Sequence, residues 1–177
     1  MNQRILYSIL LVLFSHMAFG QFYAGVNNAT LTTKGTESTT ELSTTQMVGR
    51  YIPGQNKLTL MVKTQTFSFD ADQQGQSYLN DVLLVQSNPL MALSFDLDLS
   101  GLSGKSTREV NGILLFNDQE LPIKTQLQVE QTGNSLIFSA NLNLDLSKIG
   151  IYTTKENQSF ASIIAQLTID QATLQQR

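Results

Sequence analysis

Two pairs of aspartates are the residues whose type and spacing come closest to a chemical site. Asp70 and Asp72 lie two positions apart, as do Asp96 and Asp98. On an extended strand this spacing puts both carboxylates of a pair on one face, about 7 Å apart. That geometry suits a divalent cation or an acid–base pair. Alternation with apolar residues, clearest around Asp96, is however typical of a solvated outer strand face, so we expect solvated carboxylates.

A glycine-containing stretch, Gly101–Ser106, resembles the end of a phosphate-binding loop. That motif needs four residues between its first glycine and the Gly-Lys pair. Here only Leu102 and Ser103 separate the two glycines. No helical pattern follows, so the stretch is predicted to be a turn.

The residue types that are missing narrow the chemistry further. The chain has no cysteine, no tryptophan and one histidine, His16, which lies in an N-terminal segment predicted to be removed. We therefore expect no thiol or Ser-His nucleophile, no thiolate or imidazole metal site and no cofactor. The formal net charge is −3 and the basic residues are scattered singly, which does not indicate nucleic-acid binding.

The first twenty residues have the pattern of a secretory signal peptide. Arg4 supplies a positive charge, Ile5–Phe14 is largely apolar, and Ala18 and Gly20 suit a signal peptidase. We predict cleavage before Gln21, leaving 21–177 as a single domain. The apolar run is short for a membrane span, so no stable membrane insertion is expected. We expect a periplasmic or secreted protein, and the lack of disulfides favours a bacterial envelope.

A period of two in the apolar residues predicts strands over most of the domain. Arg108–Phe116, Leu121–Glu130 and Leu136–Leu146 follow one another, with polar turns between them. One apolar face on each and short connections predict an antiparallel meander. Met91–Leu99 and Phe160–Ile169 alternate in the same way, and a polar tail is predicted after the latter.

The N-terminal half of the domain is less regular. Thr30–Thr45 is rich in threonine and serine and predicts two hydrophilic strands, with a low-complexity linker as the alternative. Lys57–Phe69 is predicted to be one long strand whose apolar parity changes at a bulge near Thr64–Thr66. The one plausible helix lies between Asp72 and Pro89 and is expected on the rim of a barrel.

These elements predict an all-β, antiparallel barrel of about eight strands with one short rim helix, because an open sheet of this size would expose long edges. A barrel of that size is filled by side chains or holds one small ligand. By the residues alone, a filled core is the simpler interpretation. Ten apolar residues are predicted to face inward and are the candidate cavity lining: Leu58, Leu60, Leu93, Phe95, Leu97, Leu114, Phe116, Leu136, Phe138 and Leu142.

The order of several short motifs resembles the YceI-like family. Phe67–Asp70 precedes the predicted helix, and Asn88-Pro89 begins the next strand. Gly112–Phe116 is followed by a hairpin containing Pro122, and Leu144–Gly150 ends a later strand. The resemblance implies a lipocalin-like barrel in the bacterial periplasm. It also implies an elongated apolar cavity, here lined by the ten residues above, that binds polyisoprenoids or other amphiphilic lipids.

The chain lacks polar residues that are typical of the family at four positions, which are occupied here by Ser77, Asn117, Leu146 and Lys148. The resemblance therefore implies the scaffold and not the contacts with a lipid head group.

We expect a non-enzymatic binding or carrier protein for an isoprenoid or fatty acyl chain. The alternative is a structural or interaction domain of the envelope with a filled core, which would offer an edge strand or Thr30–Thr45 to a protein partner. A hydrolase would need a carboxylate pair inside the barrel, whereas the candidate pairs are predicted to face outward. The oligomeric state is open, and a homodimer is compatible with the sequence.

Overall fold

A computed structural model of the chain describes residues 21–69, 78–83, 90–102, 104–116, 118–151, 158 and 162–177. Eight strands form one closed barrel in which every strand pairs antiparallel with its neighbours in sequence, and the last returns to the first. The predicted all-β barrel of about eight strands is therefore confirmed. The strands are β1 (Tyr23–Lys34), β2 (Thr39–Ile52), β3 (Lys57–Lys63), β4 (Leu90–Asp96), β5 (Gly104–Phe116), β6 (Gln119–Thr132), β7 (Ser135–Asp145) and β8 (Ile164–Gln176).

The barrel forms because each strand carries one row of apolar side chains, and closure buries all eight rows together. The described core consists of aliphatic and aromatic residues, and its only buried polar side chains are Asn27 and four threonines. The predicted pair of hydrophilic strands within Thr30–Thr45 is confirmed, since this segment forms the adjoining parts of β1 and β2.

Two predicted strand boundaries are wrong. The prediction of one strand over Lys57–Phe69 fails because β3 ends at Lys63, where Thr64–Thr66 forms a 3₁₀ turn. The Thr66 hydroxyl donates a hydrogen bond to the Lys63 carbonyl at 2.7 Å. This turn, rather than a bulge, brings Phe67 to the core.

The second error concerns β8, which extends to Gln176 where a polar tail was predicted after Ile169. Pairing with β7 shifts register within β8, and Gln171 has a φ of 46° there. This bulge moves the buried positions from odd to even numbers, so Ala172 and Leu174 continue the inward row. The predicted start at Phe160 lies outside the described residues.

The described part of the predicted rim helix is one π-helical turn, Tyr78–Val82, in which the Leu83 amide donates to the Tyr78 carbonyl at 2.9 Å. Asp72 and Pro89, between which this helix was predicted, lie outside the described residues. None of the helices within the described residues is long and apolar enough to span a membrane.

The antiparallel order places the two longest connections, β3–β4 and β7–β8, at the same end of the barrel. We call it the long-connection end. The β2–β3, β4–β5 and β6–β7 connections lie at the opposite end, which we call the short-turn end.

Candidate ligand-binding interior

All ten residues of the predicted lining, the inner lining, are buried inside the barrel. The register brings several of them together, since Leu58 pairs with Phe95 and Leu60 with Leu93. Leu93 in turn pairs with Leu114 on β5. The three residues from β7 face the interior from another part of the wall. Whether the inner lining holds a ligand stays a prediction.

The interior is closely packed beside the inner lining. Each of the ten side chains exposes 3 % of its surface or less. A void wide enough for a water molecule would leave accessible area on its walls, so the space between these side chains is filled. A bound chain would therefore have to displace or rearrange side chains that now pack against one another.

The ten predicted lining residues do not include inward residues of the other strands, although the predicted alternation of Phe160–Ile169 had already placed Leu167 on an apolar face. β1 and β2 contribute Leu31, Leu42 and Met47, β6 contributes Leu127 and Val129, and β8 contributes Leu167 and Leu174. The alternation of β6 and of the first part of β8 was a usable signal for their inward rows. In β2 and the end of β8, register shifts interrupt that signal.

Polar groups inside the barrel gather toward the long-connection end. Thr33 and Thr40 are a cross-strand pair of buried residues, and Thr44 shares a hydrogen bond of 2.9 Å with Thr66. The Thr33 hydroxyl donates to the Ser162 carbonyl at 3.2 Å and accepts from the Ser162 amide at 2.8 Å. These threonines make part of the interior polar without introducing charge.

Tyr78 lies at this end and is completely buried. Its hydroxyl has no hydrogen-bond partner among the described residues. Burial raises the pKa of Tyr78 well above that of an ordinary tyrosine and outweighs the opposite effect of the nearby Thr33 hydroxyl. The phenol is therefore neutral under physiological conditions and could donate to a polar group.

Two other tyrosines mark the short-turn end. The rings of Tyr23 and Tyr51 lie 6.1 Å apart, and the Tyr51 hydroxyl donates to the Leu97 carbonyl at 3.1 Å. The Tyr23 hydroxyl accepts from Gln131 at 3.3 Å. Burial and the negative charge of Asp98 raise the pKa of Tyr51. A surface depression of about 360 Å³ lies beside these residues. Sequence patterns gave no signal for Gln131.

The barrel wall is only partly paired beside the inner lining. The backbone ladder between β6 and β7 runs from Leu127–Ala140 to Thr132–Ser135. Before Leu127 the described contact is a hydrogen bond from the Thr125 hydroxyl to the Asn141 carbonyl at 3.1 Å. A depression of about 140 Å³ lies in this seam, and Leu142 of the inner lining forms part of its wall. The wall of this depression also includes Leu121, Ile123, Lys124, Asp145 and Lys148. Both lysines form ion pairs. Lys124 pairs with Glu109 at 2.8 Å, and Lys148 pairs with Asp145 at 3.8 Å.

The carboxylates considered at the start do not form a site among the described residues. Asp96 is exposed and forms an ion pair with Lys57 at 2.8 Å. Asp98 is exposed too, and a hydrogen bond from the Ser100 amide lowers its pKa. The expected outer-face position is confirmed for this pair, whereas Asp70 and Asp72 lie outside the described residues. No three histidine, cysteine or acidic residues cluster as metal ligands in the part of the chain that is described.

The predicted turn in Gly101–Ser106 is also observed in its described part. The Leu102 amide donates to the Leu99 carbonyl at 3.0 Å, and Gly101 has a φ of 67°. β5 begins at Gly104, so a strand and not a helix follows the Gly-Lys pair.

Comparison with solved structures finds a similar barrel in other proteins. A polyisoprenoid binding domain from Saccharophagus degradans, implicated in plant cell wall breakdown, superposes with a TM-score of 0.70 at 11% identity, over 88% of this chain and 97% of that one. BcnA from Burkholderia cenocepacia superposes with a TM-score of 0.62 at 15% identity, over 85% and 98% of the two chains.

The chain has the fold of the YceI-like proteins. No protein-family profile and no curated protein matches its sequence. At 11% and 15% identity the structural likeness establishes the fold alone. The scaffold implied by the sequence motifs is therefore confirmed, and the ligand named for the Saccharophagus domain is a property of that protein.

Proposed function

We propose that the chain is a non-enzymatic binding or carrier protein that sequesters one apolar chain, an isoprenoid or a fatty acyl chain, inside the barrel. The observation that carries this proposal is the inner lining, an uncharged interior of leucine and phenylalanine surrounded by eight strands. The fold shared with a polyisoprenoid binding domain supports it. The proposal places the protein in the periplasm or secreted from the cell, where N-terminal sequencing of the exported chain should begin at Gln21.

Burial of the ligand would supply the affinity. Each methylene transferred from water contributes about 0.8 kcal/mol. Ten methylenes would therefore contribute roughly 8 kcal/mol, which corresponds to a micromolar dissociation constant before rearrangement of the filled interior is subtracted. Leu142 of the inner lining borders the surface depression at the seam between β6 and β7. We propose that a chain enters the barrel there.

The uptake of dansyl-undecanoic acid, whose fluorescence rises in apolar surroundings, tests this function, with geranylgeraniol as an unlabelled competitor. Phe95→Asp places a charge in the inner lining and should abolish saturable uptake. Ser94→Asp places the same charge on the neighbouring outward-facing residue and should leave uptake unchanged. If Phe95→Asp does not fold, the neutral and similarly shaped Leu93→Asn is expected to weaken uptake roughly tenfold.

Equal uptake by folded Phe95→Asp, Ser94→Asp and the unmodified protein would contradict binding inside the barrel. The absence of saturable uptake by the unmodified protein would remove the proposed function altogether.

A second function is favoured by one observation, the close packing of the interior. A solid barrel would serve as a structural or interaction domain of the envelope. Native mass spectrometry of protein purified without denaturation from the periplasm of its source separates the two. A solvent-extractable extra mass supports the carrier, whereas an apo mass that does not change after exposure to a lipid extract supports the filled-core domain.

A further inference from the structure

Six of the seven large apolar side chains exposed among the described residues lie on one part of the outer wall. The strand register connects them. Val26 on β1 pairs with Val48 on β2, which pairs with Met61 on β3. Met61 pairs with Ala92 on β4, which pairs with Leu115 on β5. The result is one continuous row of outward-facing apolar residues across five neighbouring strands.

Two further residues widen this row. Leu90 precedes Ala92 by two positions on β4, and Ile113 precedes Leu115 by two on β5, so each lies on the same outer face. The six large side chains of the row are each exposed by 40–66 %. We call this surface the apolar band: Val26, Val48, Met61, Leu90, Ala92, Ile113 and Leu115.

The outer face of β6–β8 has a different composition. Gln126, Gln128, Ser139, Asn141 and Thr168 line a shallow depression of about 680 Å³ there. The apolar band is therefore a local feature of one side of the barrel. Contiguous exposed apolar surface of this kind marks contact with a membrane or a protein.

We propose that the apolar band is a reversible docking surface for a lipid bilayer that contains anionic head groups. The choice of occupant rests on the proposed function, because an isoprenoid or fatty acyl chain has to be taken from a membrane or delivered to one. Reversible surface contact of this kind requires no stable insertion.

The charges beside the band support a bilayer. Arg50 follows Val48 by two positions on β2, and Lys63 stands beside Leu90 as its cross-strand partner. Neither cation is in an ion pair among the described residues. The Arg50 guanidinium lies 4.8 Å from the centre of the Phe22 ring. Long cationic side chains next to an apolar surface can reach lipid phosphates while their stems pack on the acyl boundary.

The cations and the acidic groups lie at different parts of the band. Glu120 pairs across strands with Leu115, Asp118 lies in the β5–β6 turn, and Asp96 is neutralised by its ion pair with Lys57. Arg50 and Lys63 lie on β2 and β3, so the cationic part of the band is the part formed by β2–β4.

A second copy of the chain fits the band less well. The band spans five of the eight strands of a closed barrel, so it curves around more than half of the wall. Two convex barrels touch along a few strands only and would leave part of the band in water. An isologous contact would also bring the cations of one copy toward those of the other. Contact with a bilayer needs no matching shape, so the strands of the band that face the bilayer can dock while its anionic lipids neutralise the cations.

The position of the band also suits exchange of a lipid. Leu90 begins β4 just after the β3–β4 connection, and Leu115 lies beside the β5–β6 turn. Both are at the long-connection end, where the threonines and Tyr78 gather inside the barrel. Contact through Leu90 and Leu115 would hold this end of the interior close to the bilayer, whereas Val26 and Val48 lie toward the short-turn end.

Flotation with vesicles tests the proposal. The unmodified protein should bind vesicles of phosphatidylcholine mixed with phosphatidylglycerol more strongly than vesicles of phosphatidylcholine alone. The triple variant Val48→Thr, Met61→Gln, Leu115→Thr should bind roughly tenfold more weakly. Ile164→Thr is the matched control, since Ile164 is also exposed but lies outside the band, and it should change binding by less than about twofold.

A charge variant separates the two contributions. Arg50→Gln combined with Lys63→Gln should weaken binding to the anionic vesicles and leave binding to neutral vesicles unchanged. The replaced band residues are exposed, so melting should be preserved in the triple variant, and the single Leu115→Thr repeats the test if it is not.

Three results would overturn the docking surface. The first is no vesicle binding by the unmodified protein, and the second is equal binding by the triple variant. The third is a dimer in sedimentation velocity that the triple variant abolishes, without vesicle binding, because a second copy would then cover the band. Uptake of dansyl-undecanoic acid from vesicle-free solution is measured in parallel. Normal uptake with failed docking overturns the docking surface alone, whereas failed uptake overturns the proposed function.

Discussion

The inner lining and the apolar band are built from similar residues and have opposite environments. Leu114 and Leu115 are neighbours on β5, yet Leu114 is fully buried and Leu115 is 45 % exposed. Leu60 and Met61 on β3 differ in the same way. Because successive side chains of a strand point to opposite faces, apolar residues at consecutive positions serve two surfaces. A short apolar run in this barrel is therefore partly core and partly exterior.

The comparison also separates residues that stabilise the fold from residues that are exposed for contact with another surface. Side chains of the inner lining are removed from water and contact one another, so they contribute to the free energy of folding. Side chains of the band remain largely exposed and contribute little to it. Residues of the band would accordingly be free to change, and their exposure points to a contact outside the barrel.

The largest difference is expected for alanine at the two adjacent leucines. Leu114→Ala should lower the free energy of unfolding by about 2–5 kcal/mol, because it leaves a cavity in a packed interior. Leu115→Ala should change it by no more than about 0.5 kcal/mol. Urea denaturation followed by circular dichroism measures both. Similar losses in the two variants would mean that the outer wall is covered in the folded protein, and the comparison would fail.

A smaller effect is expected when a methyl group is added to the interior. A Cβ built on Gly112 would lie 2.6 Å from the Phe95 ring and 2.6 Å from the Ser94 carbonyl oxygen. Because the carbonyl belongs to a paired strand and cannot move aside freely, Gly112→Ala should cost about 1–3 kcal/mol.

Gly54 is the matched position, since a Cβ there meets nothing within 4 Å. Gly54→Ala should be neutral or slightly stabilising by thermal melting, because it only restricts the unfolded chain. If Gly112→Ala melted like Gly54→Ala, the interior beside Phe95 would have more room than its burial indicates.

The recurrence of apolar residues at every second position was sufficient to predict much of the fold. In β4 and β7 the buried residues alternate without interruption, and the meander of β5, β6 and β7 was predicted in its observed order. Nine of the ten residues of the inner lining lie on β3, β4, β5 or β7, and Leu97 directly follows β4. Their inward direction follows from local sequence, because a strand with one apolar face must bury it.

The band could not be predicted in this way, because it depends on register. Near their connecting turn, β1 and β2 pair Lys34 with Thr39, and this register continued without a shift would place Val26 opposite Met47. A bulge in β2 shifts the pairing by one residue, so Val26 meets Val48 and both face outward. Such a bulge leaves no distinct signature in a segment of threonine and glutamine. The same kind of shift at Gln171 hid the end of β8.

The smallest expected difference is between the buried tyrosines at the two ends of the interior. Tyr51→Phe removes a hydroxyl that donates to the Leu97 carbonyl and should cost about 1 kcal/mol. Tyr78→Phe removes a buried hydroxyl without a partner among the described residues and should be neutral or stabilising at neutral pH.

Alkaline pH sharpens this last comparison. Burial raises the pKa of Tyr78, so the folded protein keeps a proton that the unfolded chain releases above about pH 10. The stability is therefore fully present below about pH 10 and declines as the pH rises further. Tyr78→Phe should reduce this decline in urea denaturation more than Tyr51→Phe does. A loss at neutral pH as large as that of Tyr51→Phe would instead show that the Tyr78 hydroxyl binds a group beyond the described residues, and the long-connection end would then be as fully hydrogen-bonded as the short-turn end.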